Sequence, residues 1–348
     1  MIRLFVGTLD ITDTVKSVSL EGNSTQFHRT LTVELIASVD GRKPSFKLDE
    51  GQDVAFLFND KIRFRGVLFS QEIGSDGSLS IKAYDSNVYL TKNTDSKLFR
   101  EKKASEILTI LARDFGIPTG TIADTGYVIP YLRLSNLTLR DMVLKALTIT
   151  QQQTGKRFFL GNENGKLTLN AGVEAKSFLL ASDGQNLMSA TYSRSIDDTK
   201  TQVKVIGGPK GKETVVVVKD DAKRAKYGAL QAYEEMDEKA TPSQIKQRAT
   251  TLLREQSGVK EQLTVEVLGV ITVDIGTAVY VRNAMTGTNG GYYVTNVRHN
   301  IANSLHTMEL ELTRTYELPD IDLNDDELKP ETVKQKAKRP AKKEVTKK

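Results

Sequence analysis

The side chains best suited to acid–base or metal chemistry are the three histidines, His28, His299 and His306. If the last hairpin turns at Ala302-Asn303, then His299 and His306 lie opposite each other on neighbouring strands. Two imidazoles on one face are two ligands for zinc, but zinc needs a third protein ligand and the sequence suggests none nearby. We therefore interpret the two histidines as a partly exposed polar cross-strand pair, and no metal site is predicted.

Motifs for nucleophilic or nucleotide chemistry are also lacking. The chain has no cysteine, which excludes a thiol nucleophile, disulfides and thiolate metal sites. No serine lies in a G-x-S-x-G elbow. Residues Gly207–Glu213 (GGPKGKE) have the composition of a phosphate loop, but their spacing is wrong and Glu213 stands in place of the metal-binding hydroxyl. We predict a mobile turn there, and we predict no catalytic and no cofactor-binding residue.

Adjacent carboxylates occur at Asp197-Asp198, Asp220-Asp221 and Glu234-Glu235. Glycoside hydrolysis needs two carboxylates on opposite sides of a sugar, whereas adjacent residues of a strand point to opposite faces of the sheet. We interpret these pairs as solvated surface charge. The chain is accordingly predicted not to be an enzyme.

The positive charge of the chain is concentrated at its C-terminal end. The net charge is +5, and Lys329–Lys348 carries nine basic and two acidic residues, 9 − 2 = +7, so the rest of the chain carries 5 − 7 = −2. The segment after Pro319 has hardly any apolar residues, and we expect a flexible tail. The tail lacks interleaved aromatic residues, so a contact with nucleic acid would be nonspecific. A solvated tail and a protein-docking tail are the alternatives.

Composition indicates a soluble globular protein with two or three domains, since the 348 residues are 39% hydrophobic and 27% charged. No run approaches the roughly 20 apolar residues of a membrane helix, and Met1–Gly7 lacks the apolar core of a signal peptide. We expect no membrane partner, and we expect synthesis in the cytoplasm without export.

Alternating apolar residues predict short strands over residues 1–90, with hairpin turns at Asn59-Asp60 and Ser75–Gly77. The apolar period then becomes helical between Ala104 and Phe115. A second helix is predicted to start at Thr138, where Asp141 completes a capping-box pattern.

A hairpin with Asn164-Gly165 at its turn completes this small α/β part. From about Leu179 the strand pattern returns. It is interrupted by a third helix, for which Thr241 is the predicted N-cap, Pro242 lies in the first turn and Gln244 closes the capping box.

Two blocks of the sequence are similar to each other. Gly66–Phe69 leads through a turn to Ser78–Ile81, and Gly291–Val294 leads through a turn to Ser304–Thr307. The intervals from glycine to serine are 12 and 13 positions. The similarity suggests two related barrels in one chain.

Longer segments carry a resemblance to a known family. The chain resembles the XkdQ/YqbQ-like tail proteins of contractile prophages in six segments, which occur in the same order between about residues 10 and 317: Tyr84–Asn93 (YDSNVYLTKN), Phe115–Pro118 (FGIP), Gly120–Pro130 (GTIADTGYVIP), Thr154–Leu160 (TGKRFFL), Lys226–Gln231 (KYGALQ) and Gly291–Val294 (GYYV). The Lys-rich end matches nothing in the family.

The resemblance implies a mainly β fold with α+β inserts, in which two tube-type β-barrel domains are accompanied by a small α/β domain. On this basis residues 1–98 form the first barrel domain and residues 99–178 the α/β insert. Residues 179–318 form the second barrel domain, with a helical insertion near 241–257, and residues 319–348 form a charged flexible tail.

The resemblance also implies a structural baseplate hub: a homotrimer whose two barrels per chain make a pseudo-sixfold ring between the sixfold tail tube and the threefold spike. The expected partners are further copies of the chain, the tail tube protein, the spike protein, other baseplate proteins and the tape-measure protein, with nucleic acid only in passage through the channel. The expected location is the baseplate of a virion or tail-like particle assembled in the host cytoplasm. Arg63, Arg65, Tyr292 and Arg298 are predicted as interface residues.

Two other readings remain open. A tail-associated peptidoglycan hydrolase or wall-binding protein would need a catalytic constellation that the sequence does not suggest. A DNA-contacting channel protein would work through the basic tail.

Overall fold

The computed structural model of the protein describes residues 1–38, 42–172, 178–238 and 240–314, together with positions 319, 321, 323, 327 and 328. The described residues form two compact units. The first contains Met1–Lys16, Asn23–Glu174 and the described positions from 319 onwards, and the second contains Ser17–Gly22 and Ala175–Tyr316. Strands dominate both units and helices are few, which confirms the predicted mainly β fold class with α+β inserts.

The described residues up to Ala171 contribute twelve strands and three helices. They are β1 (Ile2–Val6), β2 (Leu9–Asp10), β3 (Val15–Asn23), β4 (Arg29–Ile36), β5 (Asp53–Phe58), β6 (Lys61–Ile73), β7 (Ser78–Tyr84), α1 (Val88–Lys92), β8 (Thr94–Lys103), α2 (Ala104–Asp114), β9 (Thr119–Ile122), β10 (Val128–Thr138), α3 (Leu139–Thr154), β11 (Phe158–Glu163) and β12 (Lys166–Ala171).

The rest of the described chain contributes nine strands and two helices. They are β13 (Phe178–Ser182), β14 (Leu187–Ser195), β15 (Gln202–Gly207), β16 (Thr214–Lys219), α4 (Asp221–Tyr227), β17 (Gln231–Glu235), α5 (Pro242–Gln256), β18 (Lys260–Leu268), β19 (Ala278–Asn283), β20 (Thr288–Ala302) and β21 (Leu305–Thr313).

The first unit is built on a five-stranded sheet with the order β4-β7-β6-β5-β1. All four pairings between these neighbours are antiparallel. Burial alternates along the strands, so that Leu31, Val33 and Leu35 of β4 are fully buried while the residues between them are partly exposed. This period of two is what a strand with one core-facing side requires.

The α/β part of the first unit packs two helices against two small sheets. β8 pairs with β10 in an antiparallel ribbon, and β11, β12 and β9 form a three-stranded sheet. The apolar faces of α2 and α3 share one core cluster with residues of these strands, among them Leu108, Leu147 and Leu167. The helix predicted from Ala104 and the N-cap at Thr138 are confirmed: the Thr138 side chain accepts a hydrogen bond from the Asp141 amide at 3.0 Å.

The second unit contains a five-stranded sheet with the order β18-β21-β20-β19-β13, to which β14 is added beside β18. When the five strands are numbered along the chain, their spatial order is 2-5-4-3-1, which is also the order of β4-β7-β6-β5-β1 in the first unit. The two modules differ at the first strand, because β13 runs parallel to β19 whereas β1 runs antiparallel to β5.

A separate subdomain is inserted between β14 and β18. β16, β15 and β17 form a three-stranded sheet, and α5 covers one face of it with Ile245 and Ala249, both fully buried. The predicted cap is confirmed: the Thr241 side chain accepts from the Gln244 amide at 3.3 Å, and the Gln244 side chain accepts from the Thr241 amide at 2.9 Å.

In the part of the chain that the structure describes, three hairpins have two-residue turns in which both residues have positive φ. Two of them, at Asn59-Asp60 and Asn164-Gly165, lie where they were predicted. The third prediction was wrong by one residue, because Ala302 pairs with Leu305 and the turn is Asn303-Ser304. Positive φ at both positions matches the right-handed twist of the flanking strands.

Candidate assembly surfaces

The two predicted interface arginines of the first unit lie on β6. Arg65 is exposed, and its side-chain stem packs beside the hairpin turn at Gly165, where a Cβ atom would come within 3.2 Å of Arg65 Cγ. Arg63 is partly exposed. Its buried Nε has no hydrogen-bond partner among the residues that the structure describes.

The two predicted interface residues of the second unit differ in exposure. Tyr292 is 4% exposed and belongs to the core cluster of its sheet, so its ring is covered within the unit. Arg298 is exposed and ion-paired, with Nε 2.8 Å from Glu21 and a second nitrogen 3.5 Å from Glu309. The role of all four residues in an interface stays a prediction.

The edge formed by β14, β18 and β21 carries charged and aromatic side chains around Glu261. The Glu261 carboxylate pairs with Arg194 at 3.3 Å and with Arg314 at 3.7 Å. The guanidinium of Arg314 also lies over the Tyr292 ring, 5.1 Å from its centroid. Burial and the Glu261 carboxylate raise the pKa of Tyr192. Arginine and tyrosine are among the residue types that most often carry binding energy in protein interfaces.

The inserted sheet has an apolar outer face opposite α5. Val215 and Val217 of β16 and Tyr233 of β17 are 53%, 44% and 53% exposed. Lys204 of the central strand lies between them, with its ammonium 5.9 Å from the centre of the Tyr233 ring. Exposed apolar side chains that cluster in this way are candidates for an interaction surface.

The histidines are in contact, although not in the predicted register. His299 pairs with Met308 and His306 with Ile301, so the two side chains are diagonal neighbours on one face, with His299 Nδ1 3.1 Å from His306 Nε2. The shift follows from the one-residue difference in the turn. The prediction of partial exposure was wrong for His299, which is 2% exposed and has Nε2 2.9 Å from the Val273 carbonyl oxygen.

This contact does not have the composition of a metal site. Burial, followed by the proximity of His299, lowers the pKa of His306 to about 4, so His306 is neutral near pH 7. Within the described ranges, no group of three or more His, Cys, Asp or Glu side chains is placed to hold a metal ion. Likewise, no helix of the described chain is long and apolar enough to span a membrane.

The carboxylates that are adjacent in the sequence have different hydrogen-bond partners. Glu234 accepts two hydrogen bonds from Arg248 of α5, at 2.7 and 2.9 Å, whereas Glu235 accepts one from the Tyr233 hydroxyl on the other face of the strand. Asp220 caps α4 by accepting from the Lys223 amide at 3.0 Å. The segment from Gly207 to Glu213 connects β15 and β16, as predicted for a turn.

A buried polar network underlies the segment Tyr84–Asn93. Asp85 is 1% exposed and accepts hydrogen bonds from the amides of Arg29 and Asn87, both at 3.0 Å. The Asn87 side chain donates to the carbonyl oxygens of Phe27 at 2.8 Å and Gly161 at 2.9 Å.

Asn162 extends this network into the β11–β12 hairpin. Its amide nitrogen donates to Ser86 Oγ and Asn87 Oδ1, both at 3.0 Å, and its oxygen accepts from the Gly165 amide at 2.9 Å. Ser86 donates in turn to the Gly165 carbonyl oxygen at 2.8 Å. The network joins the sheet module of the first unit to its α/β part. Sequence reasoning identified the segment by resemblance, but periodicity gives no sign of these contacts.

Comparison with known proteins gives consistent similarities. The model of the YqbQ-like family matches residues 18–313. The chain is 34% identical to YqbQ and 34% identical to the phage-like element PBSX protein XkdQ, both of Bacillus subtilis (strain 168), over 92% of this chain and 99% of each relative.

Solved structures share the fold at low sequence identity. The 43 kDa tail protein of prophage MuSo2 from Shewanella oneidensis superposes with a TM-score of 0.71 at 15% identity, over 90% of this chain and 98% of that one. The Escherichia coli c3393 protein, described as a component of the type VI secretion system with structural similarity to the T4 tail proteins gp27 and gp5, gives 0.54 at 10% identity, over 92% and 79%.

Proposed function

Because this chain belongs to the YqbQ-like family, we propose that it is a structural component of a phage tail or phage-tail-like particle, and that it forms the hub of the baseplate. The observation that carries the proposal is the repeated strand order, 2-5-4-3-1, in the two units. One chain thus supplies two sheet modules with the same strand order, which differ in the direction of the first strand. The similarity of the chain to a prophage tail protein supports the same assignment.

The repeated module has a consequence for symmetry. Three chains in a ring present six modules, so that a threefold assembly offers a pseudo-sixfold surface. Such a ring joins a sixfold tail tube on one side to a threefold spike on the other, and it nucleates the tube by presenting a surface that resembles a layer of tube subunits. Here the partners are two further copies of the chain, the tube protein, the spike protein, other baseplate proteins and the tape-measure protein.

The surfaces of the two units are suited to this role. Arg63, Arg65 and Arg298 supply cations on strand surfaces, and the face that carries Val215 and Val217 offers apolar area. Obligate assemblies bury more than about 2,000 Å² per interface and use apolar residues to do so. The function requires no cofactor, and we infer that the chain is not an enzyme.

Cryo-electron microscopy of the intact particle tests the proposal. We expect three copies of the chain in a ring between the tube and the spike, with the two modules of each copy in equivalent positions. The same map tests the four predicted interface residues. They should lie in contacts with neighbouring chains: Arg63, Arg65, Tyr292 and Arg298. Six copies in the ring, or a position away from the junction, would contradict the hub assignment.

The alternative of a peptidoglycan hydrolase or wall-binding protein makes a different prediction. Purified chain would clear cell walls in a zymogram, or would sediment with them. We expect neither, and reproducible clearing would replace the structural assignment by an enzymatic one.

A further inference from the structure

Lys145 is an unusual residue for the interior of the first unit. It lies in α3 between Leu144 and Ala146, all of them nearly fully buried, and its own exposed fraction is 4%. Lysine is almost never buried to this extent unless it is paired, because the ammonium loses its hydration. A carboxylate is therefore expected beside it.

The carboxylate is supplied by Glu327, which lies 182 residues further along the chain. Lys145 Nζ is 2.8 Å from both carboxylate oxygens of Glu327. The two side chains are 5% and 15% exposed. A charge-assisted contact of this geometry with little solvent is among the stronger polar interactions in proteins.

An apolar contact accompanies the ion pair. Leu323, four residues before Glu327, packs against the core cluster that α2 and α3 share with their neighbouring strands. The sequence from Pro319 to Leu328 (PDIDLNDDEL) is strongly acidic and has few apolar residues. A sequence of this composition buries little apolar surface of its own, so the described positions Leu323 and Glu327 depend on the surface that receives them.

We propose that Leu323 and Glu327 belong to a docking segment, within residues 319–328, whose receptor is the Lys145 site of α3 in the first unit. Glu327 provides the charge that the buried ammonium requires, and Leu323 provides the apolar contact. In the sequence, Lys329–Lys348, with its charge of 9 − 2 = +7, begins two residues after Glu327. The inference does not depend on the hub assignment.

Hydrogen exchange of the full chain, followed by mass spectrometry of peptides from residues 319–328, tests the docking. In the unmodified chain we expect slower exchange in this segment than in the tail that follows. Lys145→Met removes the ammonium and keeps most of the side-chain volume, so α3 remains packed while the segment loses its partner. Exchange in residues 319–328 is expected to become at least about tenfold faster, since the loss of a charged hydrogen-bonded contact exceeds one power of ten in an equilibrium constant.

Lys97→Met is the matched control. It removes an ion pair of the same unit, in which Lys97 Nζ lies 2.7 Å from Asp114, and it should leave exchange in residues 319–328 unchanged. If Lys145→Met impairs folding, Glu327→Gln decides, because that substitution lies outside α3 and is also expected to release the segment. Equal exchange of residues 319–328 in the unmodified chain and in Glu327→Gln, or exchange in the unmodified chain as fast as in the tail, would overturn the proposal.

Discussion

Asp85 is the residue on which the polar network of the first unit depends. Its carboxylate receives two backbone amides from different parts of the chain, those of Arg29 and Asn87, while 1% exposed. Arg29 Nε adds a longer ionic contact at 4.0 Å. Buried amides that lose their acceptor keep the full cost of desolvation, which makes removal of the acceptor more costly than the net value of the bonds.

We therefore predict that Asp85→Ala destabilises the first unit by about 3 kcal/mol. Asp76→Ala is the control, since Asp76 accepts from Ser78 within an exposed turn. Urea unfolding followed by circular dichroism measures both variants, and a loss for Asp85→Ala no larger than for Asp76→Ala would contradict the assignment.

The lowered pKa of His306 leads to a second prediction about a single residue. Its pKa is lowered to about 4 in the folded chain, whereas an unperturbed histidine has a pKa of about 6.5. Between these pH values the unfolded chain binds a proton that the folded chain does not, so unfolding is favoured as the pH falls. This contribution to the free energy of unfolding is fully present above about pH 6.5. It decreases as the pH falls below about 6.5 and stops decreasing near pH 4.

Replacing His306 by glutamine removes this titration. The difference in unfolding free energy between the original chain and His306→Gln should therefore change between pH 7.5 and pH 5.0, with the original chain losing more. Carboxylates titrate equally in both chains and cancel in the comparison. Parallel curves would show that His306 has an ordinary pKa.

At the scale of elements, helix α5 depends on its N-terminal cap. The Thr241 side chain satisfies the Gln244 amide, and Gln244 satisfies the amide of Thr241. We predict that Thr241→Ala lowers the free energy of unfolding by about 1 kcal/mol. Thr241→Ser keeps the hydroxyl and should lower it by a few tenths of a kcal/mol at most. Urea denaturation of the two variants measures the difference, and similar losses in both would show that the cap contributes little.

The elements that the sequence predicted are those with local signals. Caps and turn residues identified α3, α5 and the hairpins that turn at Asn59-Asp60, Ser75–Gly77 and Asn164-Gly165, because each of these is stabilised by contacts within a few residues. The ribbon of β8 and β10 was missed, since β8 (TDSKLFREKK) is charged and its paired residues lie 25 to 44 positions further along the chain. Helix α4 was missed for a related reason: it has no buried residue and therefore no apolar period.

The candidate surfaces show the same division. Strand periodicity correctly separated Glu234 from Glu235, but the burial of Tyr292 and Lys145 depends on which elements pack together. The first glycines of the two similar blocks, Gly66 and Gly291, also have different surroundings. A Cβ at Gly66 would lie 2.1 Å from the Tyr84 carbonyl oxygen, whereas Gly291 has open space around it. Sequence similarity thus located equivalent strands, β6 and β20, without giving the reason for each residue.

At the scale of the whole molecule, charge is divided between residues 1–328, which carry −2, and residues 329–348, which carry +7. A tail with nine cations and two acids binds polyanions by releasing counterions, without regard to sequence. We predict that the full chain is retained on double-stranded DNA at low salt and that a chain ending at Leu328 is not. The shorter chain keeps Glu327, so the docking segment is preserved and only the tail is removed.

The dependence of DNA binding on salt concentration can be predicted from the number of cations in the tail. With nine cations the logarithm of the binding constant should fall against the logarithm of the salt concentration with a slope no steeper than about −8. Fluorescence anisotropy with a labelled duplex at several salt concentrations measures the slope. Because the tail has no aromatic residue for base stacking, duplexes of different sequence should bind equally. Retention of the shortened chain, or a clear sequence preference, would assign the contact to the folded units.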